Sequence, residues 1–189
     1  MTYTLVIDTE TTGLPKMTEK RTYYDYTESD KYDISRLLEL GYVLYENKKE
    51  IKKYEKLVNV NFLIHNSDIH GITNADTIVN GVCIHDILNN LFNDIKDIDV
   101  TIVAHNIKFD INILLSEAHR YGHNDLINKI NSCEQKCTCQ MAKEKLRLNY
   151  YIKLVTLYKK LFHKKIIQEH RALSDVYLCS ECYFQLLEI

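Results

Sequence analysis

The amino-acid sequence predicts an α/β fold built around a mixed β-sheet. Three β-prone apolar runs come first along the chain, and turn-forming residues separate them. From Ile84 onward, apolar residues recur at helical spacing, with brief strand-like runs between the helical segments. Antiparallel strands followed by alternating strands and helices are typical of a mixed sheet with helices packed against it.

The first half of the chain predicts a three-stranded antiparallel meander. Residues 3–7 are a short β-prone run, and Gly13 stops extended structure soon after it. The next two strands are predicted at residues 37–45 and 54–60, with a turn at residues 46–50 between them. The first strand therefore delivers the acidic residues that follow it at its C-terminal end.

The second half predicts helices that alternate with short strands. An amphipathic helix covers Ile84–Ile95, and a strand at residues 101–104 leads directly into a helix at residues 107–118, with Asn106 at the junction. The other predicted elements, in chain order, are a short helix, a strand around residues 133–138 and a helical piece within residues 124–147, then two helices at residues 154–162 and 173–187.

The length suits one compact domain. We expect a single domain at residues 1–189, in which the polar, tyrosine-rich residues 16–33 form a loop insertion. No apolar run is long enough to cross a bilayer, and the chain starts with a strand rather than a signal peptide, so we expect an intracellular protein without a membrane partner. The six cysteines are then expected to be reduced thiols.

The charge balance is unusual for a protein that binds long nucleic acid by neutralising phosphates. Lys and Arg number 24 against 26 Asp and Glu, which gives a formal net charge of -2. Positive charge is nevertheless concentrated late in the chain, at Lys143, Lys145, Arg147, Lys153, Lys159, Lys160, Lys164 and Lys165. A local basic face is therefore compatible with a nearly neutral chain.

Two pairs of polar residues lie where predicted strands end. Asp8 and Glu10 are two apart, so their side chains leave one face of a strand and can bind one cation such as Mg²⁺ or Mn²⁺. Asn106 and Asp110 are four apart at the start of a helix and share one helix face. The alternatives are solvated carboxylates for the first pair, and a helix N-cap with a first-turn acid for the second.

A third pair lies at the start of the final predicted helix. His170 stands on the preceding loop, and Asp175 enters the helix five residues later. Such spacing allows the loop to carry a base while the helix holds a metal ligand. A histidine near a helix start is also commonly a surface or capping residue, so this segment alone leaves the role of His170 open.

The ordered combination of these segments is more specific than any one of them. Asp-Thr-Glu-Thr-Thr-Gly-Leu at residues 8–14, His-Asn-Ile-Lys-Phe-Asp at residues 105–110 and His-Arg-Ala-Leu-Ser-Asp at residues 170–175 resemble the three signature segments of the DEDDh subgroup of the DEDD exonuclease superfamily. Ile-His-Gly-Ile-Thr at residues 69–73 resembles a further segment of the proofreading branch, which includes the proofreading subunit of bacterial replicative polymerases. The resemblance spans almost the whole chain.

The resemblance implies a ribonuclease-H-like fold, an α/β fold with a five-stranded mixed β-sheet flanked by α-helices and with the first two acids on the central strand. It also implies two Mg²⁺ ions, for which Mn²⁺ can substitute. Asp8, Glu10 and Asp175 would hold the ion that binds the attacking water, and Asp8 with Asp110 would hold the second. His170 would act as the general base.

The resemblance further implies substrate contacts, from Thr11, Leu14, Ile69, His70, Asn106 and Phe109. Apolar and aromatic contacts of this kind bind unstacked bases without reading sequence. For Leu14, Ile69 and Phe109 the alternative is packing in the core. For residues 16–33 the alternatives are a lid or stacking surface for a single strand, and a surface loop whose tyrosines pack locally.

The sequence therefore predicts a 3′→5′ exonuclease that shortens single-stranded nucleic acid, with DNA favoured over RNA, and releases nucleoside 5′-monophosphates. One alternative is an exoribonuclease that acts on RNA 3′ ends or short oligoribonucleotides, because the same carboxylates serve both polymers. Another is a non-catalytic nucleic-acid-binding module associated with a polymerase. A polymerase is also a compatible partner of the active enzyme.

The cysteines suggest a different kind of metal site. Cys133, Cys137 and Cys139 are close together, and Cys179 with Cys182 forms a C-x-x-C pair. The C-x-x-C pair lies inside a helical pattern rather than in a zinc knuckle, so we expect no zinc.

Overall fold

In residues 1–166 and 170–189, which the computed structural model describes, five β-strands form a mixed sheet with the first strand at its centre. The strands are β1 (Tyr3–Thr11), β2 (Leu37–Glu46), β3 (Lys49–Leu57), β4 (Val100–Ala104) and β5 (Glu134–Cys137). In the order β3-β2-β1-β4-β5, β2 is antiparallel to both of its neighbours and β4 is parallel to both of its own. The predicted meander and five-stranded mixed sheet are confirmed.

Eight α-helices in the described part of the chain flank this sheet. They are α1 (Ser67–His70), α2 (Asn74–Asn80), α3 (Ile84–Ile95), α4 (Ile107–Arg120), α5 (Asn124–Ser132), α6 (Thr138–Lys145), α7 (Leu154–Phe162) and α8 (Ala172–Leu187). The predictions that correspond to α3 through α8 are confirmed, and where bounds were predicted they differ by at most two residues. Across residues 1–166 and 170–189, none of the helices has the length and apolar character needed to span a membrane.

The apolar periodicity does not predict the short helices α1 and α2, which lie between β3 and α3. Each has too few turns for a helical period to become visible. A capping box specifies α2 instead: the Thr73 hydroxyl accepts a hydrogen bond from the Asp76 amide, and the Asp76 carboxylate accepts one from the Thr73 amide. Local capping therefore marks this segment where periodicity cannot.

The predicted bounds of β3 are wrong. The strand covers Lys49–Leu57 rather than residues 54–60, because the turn before it is confined to Asn47 and Lys48, whose φ angles of 49° and 67° are left-handed. β3 lies at the edge of the sheet, and its first half is exposed and rich in lysine and glutamate. Such charges discourage pairing with another chain. They also interrupt the apolar alternation from which a strand is predicted, so the first half of β3 was missed.

The alternation of apolar side chains along the strands divides the core into two layers. Leu5 and Ile7 of β1 pack in the layer that contains α3, α4 and α5, whereas Val6 packs in the layer that contains α7 and α8. β2 alternates in the same way, with Leu44 in the first layer and Val43 in the second. Helices on both faces explain why these central strands are buried along most of their length.

The loop at residues 16–33 is fastened to the rest of the fold. Tyr32 is fully buried, and its hydroxyl donates a hydrogen bond of 2.6 Å to the carbonyl of Tyr24. Arg120 of α4 donates a hydrogen bond of 2.8 Å to the carboxylate of Asp33. The loop therefore packs locally through one tyrosine and is held to α4 by an arginine.

Candidate active site

The central strand positions two carboxylates on one face. β1 pairs with β2 as far as Thr11 and so continues past its predicted end at residue 7, which places Asp8 and Glu10 within the strand rather than after it. Alternation puts both side chains on the same face as Val6, which packs with α8. Both residues are half-buried.

The first turn of α8 adds a third carboxylate. Asp175 is buried there, 5% exposed. One carboxylate oxygen from each of Asp8, Glu10 and Asp175 can be chosen so that all three atoms lie within 4.8 Å of one another. Oxygen donors at this spacing suit a hard divalent cation. The structure thus brings three of the four predicted metal ligands into one cluster.

Asp110, the fourth predicted ligand, lies beside this cluster. It is in the first turn of α4, and its Oδ1 accepts hydrogen bonds from the Thr9 amide at 3.0 Å and from the Thr9 hydroxyl at 2.8 Å. The pKa of Asp8 is raised by burial and next by the charge of Asp110. The two hydrogen bonds therefore hold a buried carboxylate against β1, close enough to repel Asp8.

The loop before α8 presents His170 and is fastened to β2 immediately after it. His170 is exposed, with a left-handed φ of 50°. The next residue, Arg171, donates a hydrogen bond of 3.0 Å from Nε to Oε2 of Glu39, and the same oxygen accepts one from the Ala172 amide at 3.0 Å. Glu39 is fully buried and lies directly opposite Glu10 in the sheet. Glu39 thus caps α8 in place of a side chain from the helix itself.

A glycine permits this close approach of α8 to β2. A Cβ atom on Gly41 would lie 2.6 Å from the carbonyl carbon of Ala172 and 2.7 Å from the amide nitrogen of Leu173. That amide donates a hydrogen bond of 3.2 Å to Glu55 of β3. Any larger residue at position 41 would push away the start of the helix that carries Asp175.

The crowded carboxylates hold their protons more tightly than isolated acids do. Burial raises the pKa of Glu10 to about 8, and the charge of Asp175 adds to the rise. Burial also raises the pKa of Asp110 to about 7, although the hydrogen bonds from Thr9 oppose this. The pKa of Asp8 lies well above its ordinary range for the reasons given above. A divalent cation would neutralise this cluster, so the donor set fits the predicted metal.

We expect the metal-free protein to lose stability as the pH rises from about 4 to about 8. In the unfolded chain these carboxyls have pKa values of about 4. In the folded chain the pKa of Glu10 is about 8 and the pKa of Asp110 is about 7. Between those values the folded state binds more protons than the unfolded state, so the free energy of unfolding falls with rising pH. The melting temperature in EDTA should be lower at pH 8 than at pH 6.

Added Mg²⁺ or Mn²⁺ should raise the melting temperature most at the alkaline end, because binding requires the deprotonated carboxylates. Asp8→Asn is the matched variant, since it removes one of the repelling charges and should flatten the dependence on pH. A melting temperature in EDTA that rises from pH 6 to pH 8 would contradict the raised pKa values.

The predicted substrate contacts differ in exposure. Leu14 and Ile69 are 75% and 57% exposed, so packing in the core, the alternative for both, is wrong. Phe109 is half-buried and packs partly against the core. His70 is buried, and its Nδ1 accepts a hydrogen bond of 3.0 Å from the Ile72 amide. The structure therefore leaves two of these apolar side chains open to a ligand.

Thr11 directly follows Glu10 in the sequence, and Asn106 precedes Asp110 by four residues. The Thr11 carbonyl accepts a hydrogen bond of 2.9 Å from the Asn66 side chain, and the Thr11 hydroxyl donates one of 2.7 Å to the Gly13 carbonyl. Asn106 occupies the N-cap position of α4 with a left-handed φ of 71°, but among the described residues its side chain makes no capping hydrogen bond. N-capping therefore does not account for this exposed amide.

Sequence patterns miss Thr9, Glu39 and Arg171, which orient the predicted ligands. Glu39 carries the one usable signal, because it interrupts the apolar run of β2, and a charge inside a buried strand requires a partner. Thr9 and Arg171 carry no such signal, since only the packing of α4 and α8 on the sheet decides what they contact.

The buried cysteines behave as core residues. The Cys139 thiol donates to the Ile152 carbonyl at 3.3 Å, and the Cys179 sulfur lies 3.6 Å from the Thr138 hydroxyl. Burial raises the pKa of Cys182 to about 12. The thiolate, which is the form that binds zinc, is therefore disfavoured in the C-x-x-C pair.

Comparison with known proteins identifies the family. Residues 5–183 match the RNase_T family, described as exonuclease. The chain belongs to this exonuclease family. Its predicted membership of an exonuclease family is confirmed, and the DEDDh arrangement of residues is consistent with it. The match covers all of the candidate catalytic residues.

The chain is similar in sequence to part of a DNA polymerase and similar in structure to two exonucleases. The PolC-type DNA polymerase III of Caldanaerobacter subterraneus subsp. tengcongensis is 25% identical over 189 residues, which cover 97% of this chain but only 11% of the polymerase. Exonuclease X in complex with 5′-overhanging duplex DNA is 21% identical with a TM-score of 0.65, covering 98% of this chain and 91% of its own. E. coli Exonuclease I in complex with a dT13 oligonucleotide is 15% identical with a TM-score of 0.74, covering 100% of this chain and 41% of its own. The structural likenesses show a shared fold.

Proposed function

We propose that residues 1–189 act as a single exonuclease domain that removes nucleotides from the 3′ end of single-stranded DNA with the aid of two divalent cations. The observation that carries this proposal is the convergence of Asp8, Glu10 and Asp175 within 4.8 Å, with the buried Asp110 held beside them. Phosphodiester hydrolysis requires positive charge around the phosphate, and four acids in this arrangement would hold the cations that supply it.

Each residue of the site has a distinct task in this mechanism. The four carboxylates would hold Mg²⁺ or Mn²⁺. When bound, the cations would make the attacking water easier to deprotonate and would stabilise negative charge on the leaving 3′ oxygen. His170 accepts a proton from the water as the water oxygen bonds to phosphorus. The bond from phosphorus to the 3′ oxygen of the preceding nucleotide breaks, that oxygen keeps the electron pair and takes a proton from solvent, and a nucleoside 5′-monophosphate leaves.

Exposed apolar side chains support a substrate with unpaired terminal bases. Leu14 and Ile69 offer apolar surface that a stacked duplex end would not need, and bases have apolar faces in any sequence. The dT13 ligand of Exonuclease I and the polymerase that contains a related segment support DNA as the polymer. The polymerase also supports a DNA polymerase as the partner of this domain.

The direction and polymer are tested by matched oligonucleotides. We expect 5′-labelled single-stranded DNA to shorten in single-nucleotide steps with Mg²⁺, while 3′-labelled DNA of the same sequence releases its label at once. EDTA should stop both reactions. Release of label first from the 5′ end would overturn the direction, and faster shortening of the matched RNA would replace DNA by RNA as the substrate.

We expect His170→Ala to lower kcat by about 10²-fold or more, because a positioned base contributes at least that much to proton transfer. KM should change little, since the histidine acts on the water rather than on the strand. His163→Ala is the matched control, because His163 is also exposed and also has a left-handed φ, 57°. A variant that loses affinity but keeps kcat would exclude the general-base role.

A further inference from the structure

A cavity of about 970 Å³ lies between the loop at residues 16–33, the start of α4 and the segment that precedes α7. We call it the tyrosine groove. Four tyrosines line it, among them Tyr23, Tyr24 and Tyr151, and so do the three cations Arg21, Lys108 and Lys153. The catalytic proposal above leaves these side chains without a task.

The tyrosine groove opens beside the catalytic carboxylates. Asn106 forms part of its wall and lies one residue before α4, the helix that carries Asp110 in its first turn. Burial raises the pKa of Tyr23, the Asn106 side chain opposes this rise, and the charge of Asp110 adds to it. Tyr23 therefore lies near both residues, so this part of the groove wall is close to one of the four carboxylates.

The groove combines the two chemistries that bind a single strand. Tyrosine rings offer faces on which bases stack, and lysine and arginine neutralise phosphates. Tyr151 is 66% exposed, and Lys143 places its Nζ 4.6 Å from the centroid of the Tyr151 ring. With Asp25 as the acidic residue on the wall, the lining cations exceed the acids by two, three minus one. The whole chain, by contrast, has a net charge of -2.

The wall is built to keep its shape without a ligand. Tyr32 packs in the core and holds the Tyr24 carbonyl, while Arg120 ties Asp33 to α4. Tyr32 thus performs the structural task expected of a locally packed tyrosine, whereas Tyr24 remains half-buried and Tyr151 exposed. A preformed wall reduces the entropy that a bound strand must lose.

We propose that the tyrosine groove binds the nucleotides of a single DNA strand that lie upstream of the bond being cleaved. The inference rests on the proposed function and adds a binding site to it. Its volume, about 970 Å³, is at the upper end of the range for pockets that enclose a small ligand, ~300–1,000 Å³, which gives space for more than one base. The groove would hold the strand while the terminal nucleotide is removed.

Equilibrium binding in EDTA tests the groove independently of catalysis. A 12-nucleotide single strand with a 5′ fluorophore is titrated with the wild type, Tyr151→Ala and Tyr150→Ala, and fluorescence anisotropy is measured. Loss of one stacked base should weaken binding about 10-fold in Tyr151→Ala. Tyr150→Ala is the control, because Tyr150 is also exposed, 54%, but does not line the groove. Lys153→Ala should weaken binding and reduce its dependence on salt.

A second readout compares hydrolysis of the 12-nucleotide strand with that of a dinucleotide. Tyr151→Ala should lower kcat/KM for the long strand more than for the dinucleotide, which has one nucleotide upstream of the cleaved bond and so fills less of the groove. Equal affinity of wild type and Tyr151→Ala for the long strand would overturn the groove, as would an equal loss of affinity for a blunt duplex of the same sequence. Absence of hydrolysis by the wild type would instead overturn the proposed function, while the anisotropy result would still decide the groove.

Discussion

Asp8→Asn is expected to reduce DNA hydrolysis by roughly 10³-fold or more, the largest effect of any single change in this site. Asp8 is the carboxylate that lies between the others: it shares a cluster with Glu10 and Asp175, and Asp110 raises its pKa from the α4 side. Removing its charge therefore weakens cation binding on both sides at once. The rate of release of nucleoside 5′-monophosphate at saturating Mg²⁺ measures the loss.

The same change should leave the metal-free protein as stable as the wild type, or more stable, at pH 8. Asn is nearly the same size as Asp and removes a half-buried charge that its neighbours repel. A melting temperature in EDTA at or above that of the wild type would separate lost chemistry from lost folding. Asp125→Asn, at an exposed residue in the first turn of α5, is the control for activity. Activity of Asp8→Asn within 10-fold of the wild type would contradict the metal site.

The site could be predicted wherever it depends on the period of a single element. Alternation along β1 puts Asp8 and Glu10 on one face, and the helical period puts Asp110 and Asp175 in the first turns of α4 and α8. The long helices could likewise be predicted, because a helix that packs on the sheet has apolar residues at regular helical spacing.

What could not be predicted depends on contacts between elements. Glu39 lies opposite Glu10 because of the register between β1 and β2, and no spacing within β2 reveals that partner. Gly41 is needed because α8 crosses β2 at that point, which is a feature of packing rather than of local sequence. The true bounds of the edge strand β3 and the presence of the short helices α1 and α2 were missed for another reason: these segments bury too little surface to impose a period.

Glu39→Ala is expected to lower stability substantially, although Glu39 lies outside the metal cluster. Glu39 is fully buried and accepts hydrogen bonds from Arg171 and from the Ala172 amide. Its loss leaves a helix N-terminus and a partly buried guanidinium without their acceptor. Arg171 is 43% exposed, so its guanidinium can be solvated when Glu39 is removed. We therefore expect the free energy of unfolding to fall by about 3 kcal/mol, the lower end of the range for breaking a buried ion pair.

Activity should fall together with stability in Glu39→Ala, because Glu39 fixes the chain between His170 and Asp175. A shift of about 1 Å in a catalytic group costs on the order of 10²-fold in rate, so kcat should drop even at temperatures where the variant is folded. Glu50→Ala is the matched control: Glu50 is exposed and accepts a hydrogen bond of 3.2 Å from Tyr177 of the same helix. It should change neither quantity appreciably.

Glu39→Gln separates positioning from charge. The amide keeps an acceptor for the Ala172 N–H, so kcat should recover much of what the alanine variant loses. Among the causes that raise the pKa of Glu10, burial is the largest, but Glu39 contributes. The pH at which Mg²⁺ or Mn²⁺ binds should therefore move to lower values in Glu39→Gln. A Glu39→Gln variant as slow as Glu39→Ala, with an unchanged pH for metal binding, would show that Glu39 acts on the site in some way other than by capping α8 and repelling Glu10.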